Sequence, residues 1–331
     1  MTARLRLSLA CWEYPRTLPI LNGEVQPEGI ELVTIKSRPG TINWRAFNLN
    51  DLDVMEISLS SFIIATSRQQ SKWLGIPVFP TRGFYHTGII CNADSGIKHP
   101  QDLKGKRVAM GEYQLTPGLW ARAALQHEFS VNPADVSWFQ ERSQHRIPLN
   151  LPKGVSLTII PPDKRMDAML LEGELDAMLY RSRIGTVVDR SVAALQEDSR
   201  TRWLFPDKGK EMRRYFRKTH VFPFSNVIVI NKALLERQPW IAFNLYSAFQ
   251  TAKERSYQKM YEYDILSSPN LVLQSSALEE QARIFGKDPY HYGVASNRRE
   301  LQSLLDYSME QGLCDREVGI EELFAESVLK V

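Results

Sequence analysis

Two octets in this sequence repeat a carboxylate, a phenol and a hydroxyl at one spacing. Residues 10–17 read ACWEYPRT and residues 109–116 read AMGEYQLT, both of the form A-x-x-E-Y-x-x-T. The first offers Glu13, Tyr14 and Thr17; the second offers Glu112, Tyr113 and Thr116. These types can accept, donate and stack, which is the chemistry of a small-ligand contact. Each octet follows a short apolar run, LRLSL or GKRV, so its polar groups fall at the end of a strand. Thr116 stands before Pro117, a pattern that suits an N-cap with proline in the first helical turn, and capping competes with ligand contact for both threonines.

The elements that must hold these residues are also written twice. LNDLDVMEIS (49–58) and EGELDAMLYR (172–181) each carry Leu-Asp, a small or branched residue and Met inside an apolar run. GIELVTI (29–35) and GVSLTII (154–160) both open on glycine and alternate around β-branched residues, giving a third matched strand. The order predicts two α/β lobes of one plan. In such sheets ligands bind beyond the carboxyl ends of the strands, where N–H groups at helix starts can face an anion. That rule adds Ser58, Ser60 and Ser61 in one half, and Tyr180, Arg181, Ser182 and Arg183 in the other. Further on, PFSNVIVINKALLERQPW predicts a strand, a helix capped near Asn231 and a long helix after Pro239.

Composition bounds the partners. The 331 residues suit two lobes of roughly 150. The chain is 43% hydrophobic and 24% charged, with net charge +3 and both signs interspersed, so no basic stripe favours nucleic acid. The cluster Arg213, Arg214, Arg217 and Lys218 reads as a solvated helix face ahead of a phosphate site. Cys11, Cys91 and Cys314 lie far apart without C-x-x-C pairs, and the histidines form no H-x-x-x-H pair, so no metal or disulfide framework is suggested. Arg4 and Arg6 interrupt the apolar core that an export signal would need, and no run reaches the roughly 20 apolar residues of a membrane span. A cytoplasmic protein without membrane contact is expected. The apolar-studded stretch Trp240 to Tyr261 suits either core or a subunit contact, which leaves a homo-oligomer open.

The runs ACWEYPRT, MEISLSSFIIATSR, IPVFPTRGFYHTGI, PQDLKGKRVAMGEYQLT and PWIAFNLYSAFQTAKE together resemble the 4,5-dihydroxyphthalate decarboxylase family, from Leu5 to about Phe324. The resemblance implies an α/β, two-lobed fold like the type 2 periplasmic binding proteins, each lobe a mixed sheet flanked by helices, with the ligand cleft between them. Crossings near His86–Cys91 and Phe222–Val227 would make lobe one discontinuous (1–88 plus 225–331) and lobe two 89–224. It further implies a small aromatic carboxylate as partner, losing one carboxylate as CO2 to leave a catechol-type monoacid, with no cofactor expected and a divalent ion at Glu112 left open. The chain departs from the family pattern at Asn226, where a histidine is usual, at His220, where a glycine is usual, and at Tyr85, where an arginine is usual.

Cofactor-free decarboxylation of an aromatic ring needs an acid over the carbon that bears the carboxylate, an acceptor at a ring hydroxyl, and cations for the carboxylate that stays. Under the resemblance His86 is the expected acid, with a backbone-bonded hinge histidine as its competing role. Arg82, with Arg181 or Arg183 from the opposite lobe, is expected to clamp carboxylates, against roles as ion pairs within the fold. Ser60, Ser61 and Thr116 would add neutral donors, Glu112 would accept from a ring hydroxyl, and Glu13 would face it across the cleft. Tyr113, His220 and Asn226 complete the expected binding set. The alternative is a protein that grips a small anion between two lobes without chemistry. A cofactor-biosynthesis enzyme on the same plan, like the pyrimidine-forming proteins of thiamin synthesis, is a weaker match, since no Cys-rich motif is present.

Overall fold

The structure, a computed structural model, describes residues 4–142, 149–180, 190–262 and 274–331. The chain opens with β1 (Leu5–Cys11), α1 (Leu18–Leu21), β2 (Ile30–Lys36), α2 (Pro39–Asn48), β3 (Val54–Ser58), α3 (Leu59–Ser67) and β4 (Trp73–Ile76). It crosses to β5 (Ile89–Asn92), β6 (Arg107–Met110), α4 (Thr116–Phe129), β7 (Ser137–Gln140), β8 (Ser156–Ile159), α5 (Met166–Leu171), β9 (Ala177–Leu179), β10 (Thr201–Trp203) and α6 (Lys208–Thr219). It then returns as β11 (Asn226–Asn231), followed by α7 (Lys232–Arg237), α8 (Trp240–Glu262), α9 (Gln274–Phe285), α10 (Arg298–Glu310) and α11 (Ile320–Leu323).

Two mixed sheets result, ordered β2-β1-β3-β11-β4 and β10-β5-β9-β6-β7-β8. In each, the strand that ends in the octet lies parallel between two neighbours, with the crossing strand antiparallel beyond. The sheets therefore share one order, with β1 matching β6 and β3 matching β9. The expected third match does not hold. GIELVTI forms β2 beside β1, whereas GVSLTII forms β8 beside β7, an extra edge strand, and β7 is the partner of β6. A glycine followed by alternating β-branched residues specifies a strand but not its neighbour.

The Asp of the second echo has a shared mechanical role. Asp53 accepts from the backbone N–H of Ser8 and Asp176 from that of Arg107, both at 2.8 Å. Ser8 and Arg107 each stand two residues before their octet. One carboxylate thus pins the start of the third strand to the first in both sheets, fixing the register Leu9↔Val54 and Val108↔Ala177.

Among the described residues, three apolar cores follow from this layering. One lies under α1 and α8 on the outer face of the first sheet and includes Leu9, Ile30, Ile228 and Phe249. A second covers the outer face of the other sheet with Ile90, Ala109, Leu170 and Met178. The third is continuous from sheet to sheet: Met55, Ile57 and Phe62 join Val108, Trp120, Trp138 and Ala177. Helix α4 bridges it, with Trp120 Nε1 donating to Phe224 O (2.9 Å) and Arg122 Nε to Gln311 Oε1 (2.8 Å).

Candidate active site

A cavity of about 300 Å³ lies where the two octets face each other. The first octet supplies Trp12 and Tyr14, and the second supplies Met110, Gly111, Glu112 and Leu115. Arg38, Pro39 and Gly40 border it from the start of α2, and Pro117 and Gly118 from the start of α4. First-turn N–H groups have no partner inside their own helix, so two helix starts contribute partial positive charge to this space. Proline in the first turn of each sets the helical φ at no hydrogen-bonding cost.

On the lobe-two side Glu112 is buried and its Oε1 accepts from Arg142 Nη1 at 3.0 Å, while Gln114 Nε2 lies 3.3 Å from Oε2. Arg142, also buried, lies just past β7 and lines the cavity with Glu112. Around this ion pair the wall is apolar, from Met110, Leu115, Met166, Met178 and Leu179. Ser191 completes it, held by Glu141, a fully buried carboxylate that also accepts from the N–H of Met166, Arg190 and Ser191.

The lobe-one wall is organised by Glu56, in the middle of β3 and without solvent exposure. Its Oε2 accepts from Trp12 N (3.0 Å) and Cys11 Sγ (3.4 Å). Its Oε1 accepts from Tyr14 OH (2.9 Å) and Asn226 Nδ2, with Thr81 Oγ1 3.4 Å away. Burial first, and then the Glu56 charge, push the Tyr14 phenol and the Cys11 thiol well above their usual ranges, so both stay protonated. Neither Glu56 nor Arg142 nor Glu141 stands out in the octets. The legible signal for Glu56 is a glutamate inside the otherwise apolar run VMEIS, since a carboxylate in a central strand is rare without a task.

The residues expected at the site are distributed unevenly. Glu112 lines the cavity, whereas Glu13 is exposed and pairs with Lys36 at 3.2 Å. The two tyrosines also part: Tyr14 lines the cavity, while Tyr113 is wholly buried under the Arg122 guanidinium, 3.6 Å from its ring centre. Thr116 does not cap its own helix. Its Oγ1 reaches the other lobe, accepting from Ser60 N (2.9 Å) at the start of α3 and bonding Ser58 Oγ (2.9 Å). Thr17 closes its own turn, donating to Trp12 O at 2.7 Å and accepting from Tyr14 N at 3.0 Å. Ser60 and Ser61 are buried beside α4 and outside the cavity lining, and their hydroxyls have no hydrogen-bond partner among the described residues.

His86, expected as the acid, is placed outside the cavity lining. It is buried between the rings of Phe205 and Tyr215, with Nε2 2.9 Å from Glu211 Oε1. Arg82, expected as a clamp, is consumed by the fold: it donates to Phe222 O (2.9 Å), His291 O (3.0 Å) and Asn297, and stands 3.9 Å from Glu300. Burial pushes its guanidinium down to about 10. His220 caps the end of α6 in the left-handed conformation (φ 54°), which is why glycine would suit that position, and it lines a separate cavity with Phe216 and His291. Asn226 supports the site from behind through Glu56. Arg181 and Arg183 lie outside the described residues. Physically these outcomes share a cause: a charged side chain at a lobe crossing is as useful for joining segments as for meeting a ligand.

Fold and site together define a class: a two-lobed protein of the periplasmic solute-binding architecture, with a cavity at the carboxyl ends of the octet strands. The alkanesulfonate-binding protein SsuA from Xanthomonas axonopodis pv. citri, bound to MOPS, superposes with a TM-score of 0.55 at 13% identity, over 97% of this chain and 98% of that one. The periplasmic aliphatic sulphonate binding protein SsuA from Escherichia coli gives 0.53 at 16%, over 98% and 92%. Residues 29–149 match the model of the phosphonate ABC transporter periplasmic substrate-binding protein family. Among curated proteins, a 4,5-dihydroxyphthalate decarboxylase of Comamonas testosteroni is 32% identical over 327 residues, covering 97% of each chain. Another of the same name from Pseudomonas putida is 38% identical over 181 residues, 53% of this chain and 70% of its own. The chain belongs to the 4,5-dihydroxyphthalate decarboxylase family, and its enzyme class is that of a carboxy-lyase.

Proposed function

We propose that the chain decarboxylates a hydroxylated aromatic dicarboxylate of the 4,5-dihydroxyphthalate type in the cavity between the octets, without an organic cofactor. The observation that carries this reading is the buried Glu112–Arg142 pair on the wall of a ring-sized, aromatic-lined cavity. An entering dianion competes with Glu112 for Arg142 and brings negative charge beside it. Both effects favour the protonated carboxyl. Glu112 then gives its proton to the ring carbon that bears the departing carboxylate, in place of the expected His86. The bond to that carboxylate breaks, its electron pair returns to the ring, and CO2 leaves. Arg142, Arg38 and the first-turn N–H groups of α2 and α4 hold the carboxylate that stays. The methionine and leucine wall supports release of a charged group as a neutral one.

A test incubates the protein with 4,5-dihydroxyphthalate, with and without a chelator, and follows 3,4-dihydroxybenzoate by chromatography. The expected result is product in both arms. In Glu112→Gln, kcat should fall by at least about 100-fold while the ligand still raises Tm. A second reading, anion binding without turnover, is favoured by one observation: none of the described residues lining the cavity is a histidine. A ligand-dependent rise in Tm with no product from the wild type would support it and sink the first.

A further inference from the structure

Decarboxylation by ring protonation leaves a second proton to be placed. As the ring carbon is protonated, the hydroxyl that feeds electrons into the ring becomes a protonated carbonyl, a strong acid. The lobe-one wall holds an ordered path for that proton. Thr81, half-buried and on the cavity wall, donates from Oγ1 to Tyr14 OH at 2.7 Å. Tyr14 OH donates in turn to Glu56 Oε1 at 2.9 Å. The donors run one way, from the cavity to the interior, and the path ends on a fully buried carboxylate.

The surroundings of Glu56 suit a terminus. Neutral donors hold it: the Trp12 amide, the Cys11 thiol, the Tyr14 hydroxyl and the Asn226 amide. Among the described residues no lysine, arginine or histidine pairs with it. Its partners are therefore all neutral hydrogen-bond donors. Position 56 is also where the two lobes differ: the aligned echo places Leu179 opposite it in lobe two, so the carboxylate is not part of the repeated plan.

We infer that Glu56 accepts the proton of the substrate's ring hydroxyl through Thr81 and Tyr14, on the wall opposite Glu112 and Arg142. The inference rests on the decarboxylation reading. In the step, the ring hydroxyl gives its proton to Thr81 Oγ1, Thr81 passes its own to Tyr14, and Tyr14 passes its own to Glu56. The ring, protonated at carbon by Glu112, is then a neutral dienone. Loss of CO2 returns an electron pair and leaves a phenolate. The phenolate recovers the proton from Glu56 by the reverse path, so Glu56 ends as it began and one proton is consumed per turnover, at carbon.

The experiment compares kcat and KM of wild type, Glu56→Gln, Thr81→Val and Tyr14→Phe on 4,5-dihydroxyphthalate and on a ring-halogenated analogue with a more acidic hydroxyl. Glu56→Gln keeps a hydrogen-bonding group of the same shape but cannot take the proton. Its kcat should fall by at least about 100-fold with KM within about threefold of wild type. On the halogenated substrate the deficit should shrink at least about tenfold, because a hydroxyl that ionises readily needs less help. Thr81→Val and Tyr14→Phe should show the same acidity-dependent deficit, and neither should add its full effect to Glu56→Gln. A merely structural role would slow both substrates alike, and that result, or wild-type kcat in Glu56→Gln, overturns the inference. Should Glu56→Gln not fold, equal losses on both substrates in Thr81→Val and Tyr14→Phe overturn it. No product from the wild type on either substrate removes the decarboxylation reading and the inference with it, whereas turnover by wild type and variants alike removes the inference alone.

Discussion

His86 and Glu211 illustrate how a buried polar pair can serve the fold. Glu211 receives His86 Nε2 at 2.9 Å and Arg214 at 2.7 and 2.8 Å. Burial alone would raise its carboxyl, but the hydrogen bonds from Arg214 and His86 outweigh it and hold the carboxyl below the usual range. Since the folded value is the lower one, this contribution to stability is full above the ordinary carboxylate pKa and is lost as pH falls through the folded value. His86→Ala should therefore lower unfolding stability by about 1–3 kcal/mol at pH 7. Its kcat on 4,5-dihydroxyphthalate should stay within about threefold of wild type. Urea denaturation and steady-state kinetics on one preparation check this, and a 100-fold loss of kcat at unchanged stability would return His86 to the chemistry. Glu112 was legible because its octet marks a strand end. Arg142 lacked any such mark, and Glu56 showed only as a charge out of place.

At the scale of elements, two of the three echoes correspond to matched strands because each carries a residue with a mechanical duty. Asp53 and Asp176 pin strand to strand, so their spacing from the octet is constrained. The glycine-led runs carry no such tie, and one of them became an edge strand. Burial raises the Asp176 carboxyl, yet the hydrogen bonds from Arg107 prevail and hold it low. Asp176→Asn should consequently destabilise the protein at pH 7 more than at pH 3, with the difference between variant and wild type narrowing as the native carboxylate protonates. Thermal unfolding at the two pH values measures it, and an equal cost at both would contradict the assignment. His220 supplies a converse case. A non-glycine residue in the left-handed region costs about 1 kcal/mol, so His220→Gly should raise Tm by a few degrees and leave kcat unchanged. A fall in kcat would place His220 in the site after all.

The whole molecule differs from a pair of lobes on a hinge. Its inner core runs without a break from Met55 and Phe62 to Trp120 and Trp138, and α4 is tied to both sides through Thr116, Trp120 and Arg122. An apolar contact of this kind resists relative motion far more than the small polar interfaces of mobile domains. On this ground the lobes should not close on binding, and small-angle scattering should give the same radius of gyration with and without saturating ligand; contraction on binding would indicate hinge closure instead. The alternation of strands and helices announced two lobes and their order, but joining is a tertiary property, set by which apolar faces meet. No run of sequence states that Thr116 will reach the opposite helix. Delivery of a proton to a ring carbon in this cleft is tested most directly by turnover of 4,5-dihydroxyphthalate in D2O followed by proton NMR. The expected product is 3,4-dihydroxybenzoate carrying one deuterium at the carbon that lost its carboxylate, from wild type and not from Glu112→Gln. Bound ligand with no product, or equal turnover by the variant, would contradict it.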